Sequence, residues 1–210
     1  MTISPNIYLT SKASNTKDVN ELKTEIIRKS IHFLIALTPS MAAVNRPVTV
    51  LILMIGTLGY TFMEYFRLSG IRVPVISSLT SMASRSRDMG RFVMGPVTLG
   101  LGALLALLLY PSPVAAISIY ALAFGDGFAS LIGKIFGRLR PAILCGKSIE
   151  GCTACFVAVL ISAYAVCGSM YAAFVAAFVA TVVEALPLED YDNLVLPVTV
   201  GLVVQFAIML

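Results

Sequence analysis

Asp126 lies within an otherwise apolar stretch, Ala123-Phe-Gly-Asp-Gly-Phe-Ala-Ser-Leu-Ile-Gly-Lys-Ile-Phe-Gly-Arg138. It precedes Lys134 by eight residues, about 12 Å along a helix at 1.5 Å per residue. An ionised carboxylate at that depth is expensive unless a cation or water meets it. The residue therefore reads as a Mg²⁺ ligand or a base, or else as the partner of a buried arginine. Gly125 and Gly127 flank it and, lacking a Cβ, let a ligand approach the backbone.

The segment Gly146-Lys-Ser-Ile-Glu-Gly151 follows, and Gly146-Lys147-Ser148 suggests phosphate binding by backbone N–H groups and an ammonium. It is not a Walker A loop: Pro141 stands where that pattern needs a glycine, and no strand pattern precedes it. Gly133-x-x-x-Gly137, taken alone, reads first as a helix-packing notch.

Two further clusters carry charge. Glu184, Glu189, Asp190, Asp192 and Asn193 supply hard oxygen ligands of the kind that suits Mg²⁺, against the plainer reading of a solvated acidic turn. Arg28, Lys29 and His32 open the first apolar run, where basic residues also set topology and touch lipid phosphates. His32 is the only histidine, which excludes a multi-histidine metal site and leaves it a structural or supporting role. Cys152-x-x-Cys155 opens an apolar helix and reads as small-residue packing rather than a redox pair.

Composition says what must position these groups. Of 210 residues, 58% are hydrophobic and 12% charged, with mean hydropathy +0.91. A soluble domain carries about 25% charged residues, so a water-soluble globule is excluded. Four cysteines are too few for a secreted disulfide scaffold. What remains is an all-α, polytopic membrane helical bundle with room for about seven spans of roughly 20 residues. Apolar runs at 26–44, 48–67, 92–110, 113–135, 151–168, 170–188 and 194–210 mark them. The first is weakest, and Thr38-Pro-Ser40 is expected to kink it. Asn45-Arg-Pro47, Pro111-Ser-Pro113 and Gly168-Ser169 read as tight turns. Residues 1–20 are expected to form a polar arm without the apolar core of a signal peptide, and 21–210 a single membrane-embedded domain that carries every candidate catalytic residue. Asp18-Val-Asn-Glu21 resembles a capping box opening an interfacial helix. Ser69–Arg91 is expected along the membrane surface, Glu64 and Arg67 as an i,i+3 surface pair, and Gly95-Pro96 as a kink or packing device.

In a seven-span arrangement all of the 15 lysines and arginines except Arg46 fall on one side. The positive-inside rule puts that side, and the N-terminus, in the cytoplasm. The carboxylates fall on the same side, although the rule does not concern them. A polar site facing the cytoplasm explains both.

The ordered set of motifs resembles a known family. Arg28-Lys29…His32, Glu64-x-x-Arg67, Gly95-Pro96, Gly125–Arg138, Gly146–Gly151 and Glu184–Asn193 stand in the order found in the dolichol kinase, phytol kinase and CTP-dependent diacylglycerol kinase family. The resemblance covers nearly all of the chain beyond the N-terminal arm. It implies a multi-pass integral membrane enzyme with CTP and Mg²⁺ bound in a cytoplasm-facing site, transferring phosphate to a lipid hydroxyl of diacylglycerol, polyprenol or phytol type. On that reading Asp126 binds metal or orients the hydroxyl, with Glu184 and Asp192 as further metal ligands. Arg28, Lys29, Lys134 and Lys147 neutralise the triphosphate. Gly133, Gly137, Gly146 and Gly151 allow close backbone approach, Ser148 and Asn193 complete the nucleotide site, and Glu150 holds Lys147 or the ribose. The partners implied are a membrane lipid alcohol, a nucleotide and the bilayer, with no nucleic-acid polymer.

Two other readings compete. The related phosphatidate cytidylyltransferases carry a C-terminal signature with histidine, and no histidine follows His32 here. A transporter needs polar groups along a path through the membrane and often shows repeated halves. Arg46 is the one formal charge expected on the outer side, and no internal repeat is visible.

Overall fold

The computed structural model describes residues 7–9, 16–71 and 90–209. Most of the polar arm lies outside them, as does most of the segment expected on the membrane surface, including Arg72, Arg85, Arg87 and Asp88.

Seven helices are present among the described residues: α1 (Thr16–Ile35), α2 (Thr38–Leu68), α3 (Gly95–Leu109), α4 (Ser112–Ile135), α5 (Ile149–Cys167), α6 (Met170–Ala185) and α7 (Asp192–Met209). The helix α4 is interrupted by a π-helical turn, Ala121–Asp126. Two short strands, β1 (Ile7–Leu9) and β2 (Leu139–Pro141), pair antiparallel, with Tyr8 opposite Arg140. That ladder is a small departure from the all-helical expectation.

The helix ends follow from local chemistry. α1 begins at Thr16 and runs unbroken to Ile35, so the interfacial helix and the start of the first apolar run are one element. The run is cut after Ile35, and α2 restarts at Thr38 with Pro39 in its first turn, where a missing N–H costs nothing. The expected turn at Asn45-Arg-Pro47 is instead a kink inside α2: Asn45 adopts φ −154° and ψ 96°, and its side-chain oxygen accepts from Val48 N at 3.1 Å. The helix therefore resumes behind an asparagine cap. Ser148 and Ser169 cap α5 and α6 by accepting from the N–H groups of Gly151 and Ala172. Gly168 closes α5 at φ 66°, a conformation that glycine adopts without a Cβ penalty. Arg46 donates to the carbonyls of Leu107 and Tyr110, meeting the negative end of α3.

Small side chains set the packing. Ala172, Ala173, Ala176, Ala177 and Ala180 are fully buried on α6, which lies between α5 and α7. α3 packs against α2 and α7, while α4 packs against α1 and α5. The large apolar residues of α2, among them Leu51, Ile55, Leu58 and Phe62, point outward. Four helices, α2, α4, α5 and α7, are long and apolar enough to cross a membrane; α3 and α6 are apolar but shorter, at 15 and 16 residues. The whole fits a helical membrane bundle.

Glu64 is not the surface pair that its spacing suggested. Its carboxylate is fully buried and accepts from Arg67 twice, at 2.7 Å each, and from Val93 N at 2.9 Å. Arg67 also donates to the Arg91 carbonyl at 3.0 Å, so the pair anchors the chain where it enters α3.

Candidate active site

Glu25, Arg28, Lys29 and His32 repeat at i, i+3, i+4 and i+7 and so share one face of α1. That face meets α4 at the end of its π turn, where Asp126 is 2% exposed. Lys29 Nζ donates to Asp126 Oδ2 at 2.5 Å, and His32 Nδ1 lies 2.9 Å from the same oxygen without an aligned hydrogen bond. The sequence allowed an arginine as the buried partner of Asp126; the partner is this lysine. Glu25 is buried beside three cations, with Arg28 and Lys134 at 3.4 Å and Lys29 at 4.0 Å.

The other wall comes from the far end of the chain. The last turn of α6 carries Glu184, and the first turn of α7 carries Asp192 and Asn193. Lys147, in the loop before α5, reaches Glu184 Oε1 at 2.5 Å. Burial works against the Lys147 ammonium, but the Glu184 carboxylate prevails and raises its pKa above the usual lysine range. Arg28 closes the circle at 3.5 Å from Asp190.

These groups enclose a cavity of about 360 Å³, within the range of small-molecule sites. Arg28, Lys29, Asp126, Gly133, Lys134, Gly146, Lys147, Ser148, Gly151, Glu184, Asp192 and Asn193 all line it. One carboxylate oxygen each from Asp126, Glu184 and Asp192 lie within 4.8 Å of one another. Glu184 Oε2 and Asn193 Oδ1 are buried without a hydrogen-bond partner. Buried acceptors left bare cost free energy unless a donor or cation meets them. Hard oxygens so arranged fit a divalent cation such as Mg²⁺, which takes one or two carboxylates plus substrate oxygens.

Two expected site residues stand elsewhere. Glu150 does not line the cavity; its carboxylate accepts from the backbone N–H groups of Arg138 and Leu139 at 2.9 and 3.2 Å, and Glu184 holds Lys147 in its place. Gly137 is also away from the cavity, because Ser148 fills the space beside it. A Cβ on Gly133 would stand 3.0 Å from Ser148 Oγ, and one on Gly151 would stand 2.7 Å from the Ala129 carbonyl. These glycines bring α4 and α5 together.

Sequence reasoning passed over Glu25 and Arg140. Glu25 completes the i, i+3, i+4, i+7 polar stripe, a periodicity that marks it once the stripe is taken as inward-facing. Arg140, counted only as a topological charge, donates to the carbonyls of Gly146 at 2.6 Å and Gly133 at 2.8 Å. It ties the glycine loop to α4.

An all-helical membrane bundle with clustered carboxylates and cations at one cavity defines a class, and comparison with known proteins narrows it. An uncharacterized protein of Methanocaldococcus jannaschii is 26% identical over 187 residues, 88% of this chain and 94% of that protein. CTP-dependent diacylglycerol kinase 1 of Eremothecium gossypii is 36% identical over 78 residues, 37% of this chain and 23% of the relative. A probable chloroplastic phytol kinase of Triticum aestivum is 27% identical over 144 residues, 60% of this chain and 48% of the relative. The two relatives with a named activity are thus matched over less than half of their own length. No family model matches the chain, nor does any solved structure. The relatives support the resemblance to the dolichol kinase, phytol kinase and CTP-dependent diacylglycerol kinase family.

Proposed function

We propose that the protein is a CTP-dependent lipid-alcohol kinase acting at the cytoplasmic face of a membrane. The observation that carries this reading is the cavity itself: three clustered carboxylates with an unpartnered Glu184 oxygen, ringed by Arg28, Lys29, Lys134 and Lys147. Phosphoryl transfer asks for little beyond a metal on the phosphates, cations on the developing charge and an oriented hydroxyl. Asp126, Glu184 and Asp192 would hold Mg²⁺, which when bound neutralises and orients the donor phosphates. The four cations would bind the triphosphate, and Gly146, Ser148 and Asn193, which line the same cavity, would contact the nucleotide. Asp126, which accepts from Ser130 Oγ at 3.4 Å, would orient the acceptor hydroxyl. A bond forms between that oxygen and the γ-phosphorus as the bond to the β–γ bridging oxygen breaks, and the hydroxyl proton leaves to a carboxylate or to water. CDP and a lipid phosphate result.

The one-sided charge supports seven crossings with the N-terminus in the cytoplasm. A membrane-embedded site also suits the substrates, since the alcohol stays in lipid while its hydroxyl meets a soluble nucleotide. The test is purified protein with [γ-³²P]CTP, Mg²⁺ and a panel of diacylglycerol, polyprenols and phytol. Labelled lipid phosphate is expected. Label transferred from [α-³²P]CTP instead would make the protein a cytidylyltransferase, and substrate flux through proteoliposomes without chemical turnover would make it a transporter.

A further inference from the structure

Lys29 and Lys147 each hold one oxygen of a carboxylate in the candidate metal triad. Each ammonium stands 2.5 Å from its partner, Asp126 Oδ2 and Glu184 Oε1 respectively. The oxygens of the Asp126, Glu184 and Asp192 triad spread over as much as 4.8 Å. Two ligands on opposite sides of Mg²⁺, at 2.0–2.1 Å each, are at most about 4.2 Å apart. Closing the triad on a cation therefore draws the three carboxylates together and sets a double positive charge beside both ammonium groups, which weakens each ion pair. Lys29 is 3% exposed and its other carboxylate, Glu25, already faces Arg28 and Lys134. Lys147 is 35% exposed at the cavity wall. Both line the cavity, so an anion inside it offers each displaced ammonium a new partner.

We infer that Lys29 and Lys147 are exchangeable counter-ions, which neutralise the metal carboxylates until a cation enters and then pass to a phosphate-bearing ligand. The divalent cation and the anion consequently bind with mutual positive coupling, each raising the affinity of the other. The inference rests on the metal–nucleotide part of the function proposed above. The buried, unpartnered Glu184 Oε2 and Asn193 Oδ1 point to a missing cation or donor independently of the charge count.

Mn²⁺ serves as the probe, its free concentration read by electron paramagnetic resonance on the detergent-purified chain. Lys147→Gln removes the competitor for Glu184, so Mn²⁺ should bind the nucleotide-free variant about tenfold more tightly, while CTP at saturating Mg²⁺ binds more weakly by a similar factor. Lys29→Gln should repeat both changes at Asp126. On the unaltered chain, sulfate, with its own pairing to Mn²⁺ measured in a protein-free control and subtracted, should tighten Mn²⁺ binding; this measurement decides the matter if the variants fail to fold. Mn²⁺ affinity that is unchanged or lowered in the variants, or indifferent to sulfate, overturns the inference, as does an unaltered chain that binds no Mn²⁺. If Mn²⁺ tightens as expected but no lipid alcohol is labelled, the counter-ion exchange stands and the lipid-kinase reading falls. If lipid is labelled but Mn²⁺ affinity is indifferent to Lys147, the exchange falls and the kinase reading stands.

Discussion

Lys29 and Asp126 stand 97 residues apart in the chain and meet at 2.5 Å, both almost wholly buried. Their contact fastens the charge-rich α1 to the π turn of α4, and so joins the inward-facing polar stripe of α1 to the deepest carboxylate of the site. Breaking a buried ion pair by removing one partner leaves an uncompensated charge. Asp126→Asn is accordingly expected to cost about 3 kcal/mol of stability, the low end of the usual range because Glu25 also lies near Lys29. Turnover should fall at least about 100-fold. Adding Lys29→Met should restore most of the melting temperature in detergent without restoring lipid phosphate. Recovery of turnover in that double variant would contradict the role given to Asp126.

Gly151→Ala places a methyl 2.7 Å from the Ala129 carbonyl, a backbone atom that can move only with its helix. The expected cost is about 1–3 kcal/mol, as for other overpacked contacts. Gly133→Ala meets the Ser148 hydroxyl at 3.0 Å, a lone side-chain atom, and should cost less. Thermal melts of the two variants check the order; the reverse order would show that α4 and α5 are not in contact through these residues.

Glu64→Ala strips Arg67 and Val93 N of a shared, buried acceptor. A loss of about 3 kcal/mol is expected, with Glu64→Gln losing roughly half as much because its amide oxygen can still accept from Val93 N. Equal melting temperatures for the two variants would indicate that charge alone matters there.

Chelation offers a simpler check. EDTA should abolish formation of labelled lipid phosphate, and excess Mg²⁺ should restore it to the original rate. Persisting activity in EDTA would remove Asp126, Glu184 and Asp192 from the metal role.

Cys145 is exposed and borders the cavity, which makes it a reporter of sidedness. A membrane-impermeant maleimide should label it in lysed cells but not in intact ones, and CTP with Mg²⁺ should slow the labelling. Reaction in intact cells would invert the topology.

Much of this was legible from residue types. Asp126, Glu184, Asp192 and Lys147 announce themselves because charge in an apolar chain is costly, and they do converge on one cavity. The later helices were legible from apolar runs, with Gly168 marking a boundary by its backbone limits, whereas Pro39, expected to kink the run 26–44, instead opens α2. What escaped was decided by neighbours distant in sequence. Gly133 and Gly151 look the same whether they face a phosphate or a serine, and only the approach of α5 to α4 selects Ser148. Glu64 and Arg67 have the spacing of a surface pair, and become an anchor because Val93 and Arg91 return to them. Glu150 follows the lysine it was paired with by three residues, yet its carboxylate turns to the backbone of residues 138 and 139.

The π turn at Ala121–Asp126 has an effect that reaches along the whole of α4. Winding i to i+5, it takes up one residue more than an α-helical turn, which amounts to a single-codon insertion in an otherwise regular helix. Deleting one residue between Ala121 and Gly125 would return the helix to plain winding and leave Asp126 on nearly the same face relative to Ile117 and Ile119, whereas the same extra residue wound as a regular α-helix would swing it by about 100°. The two halves of α4 thus share the register of a helix one residue shorter, and the surplus residue is taken up beside Asp126, where the widened turn meets Lys29.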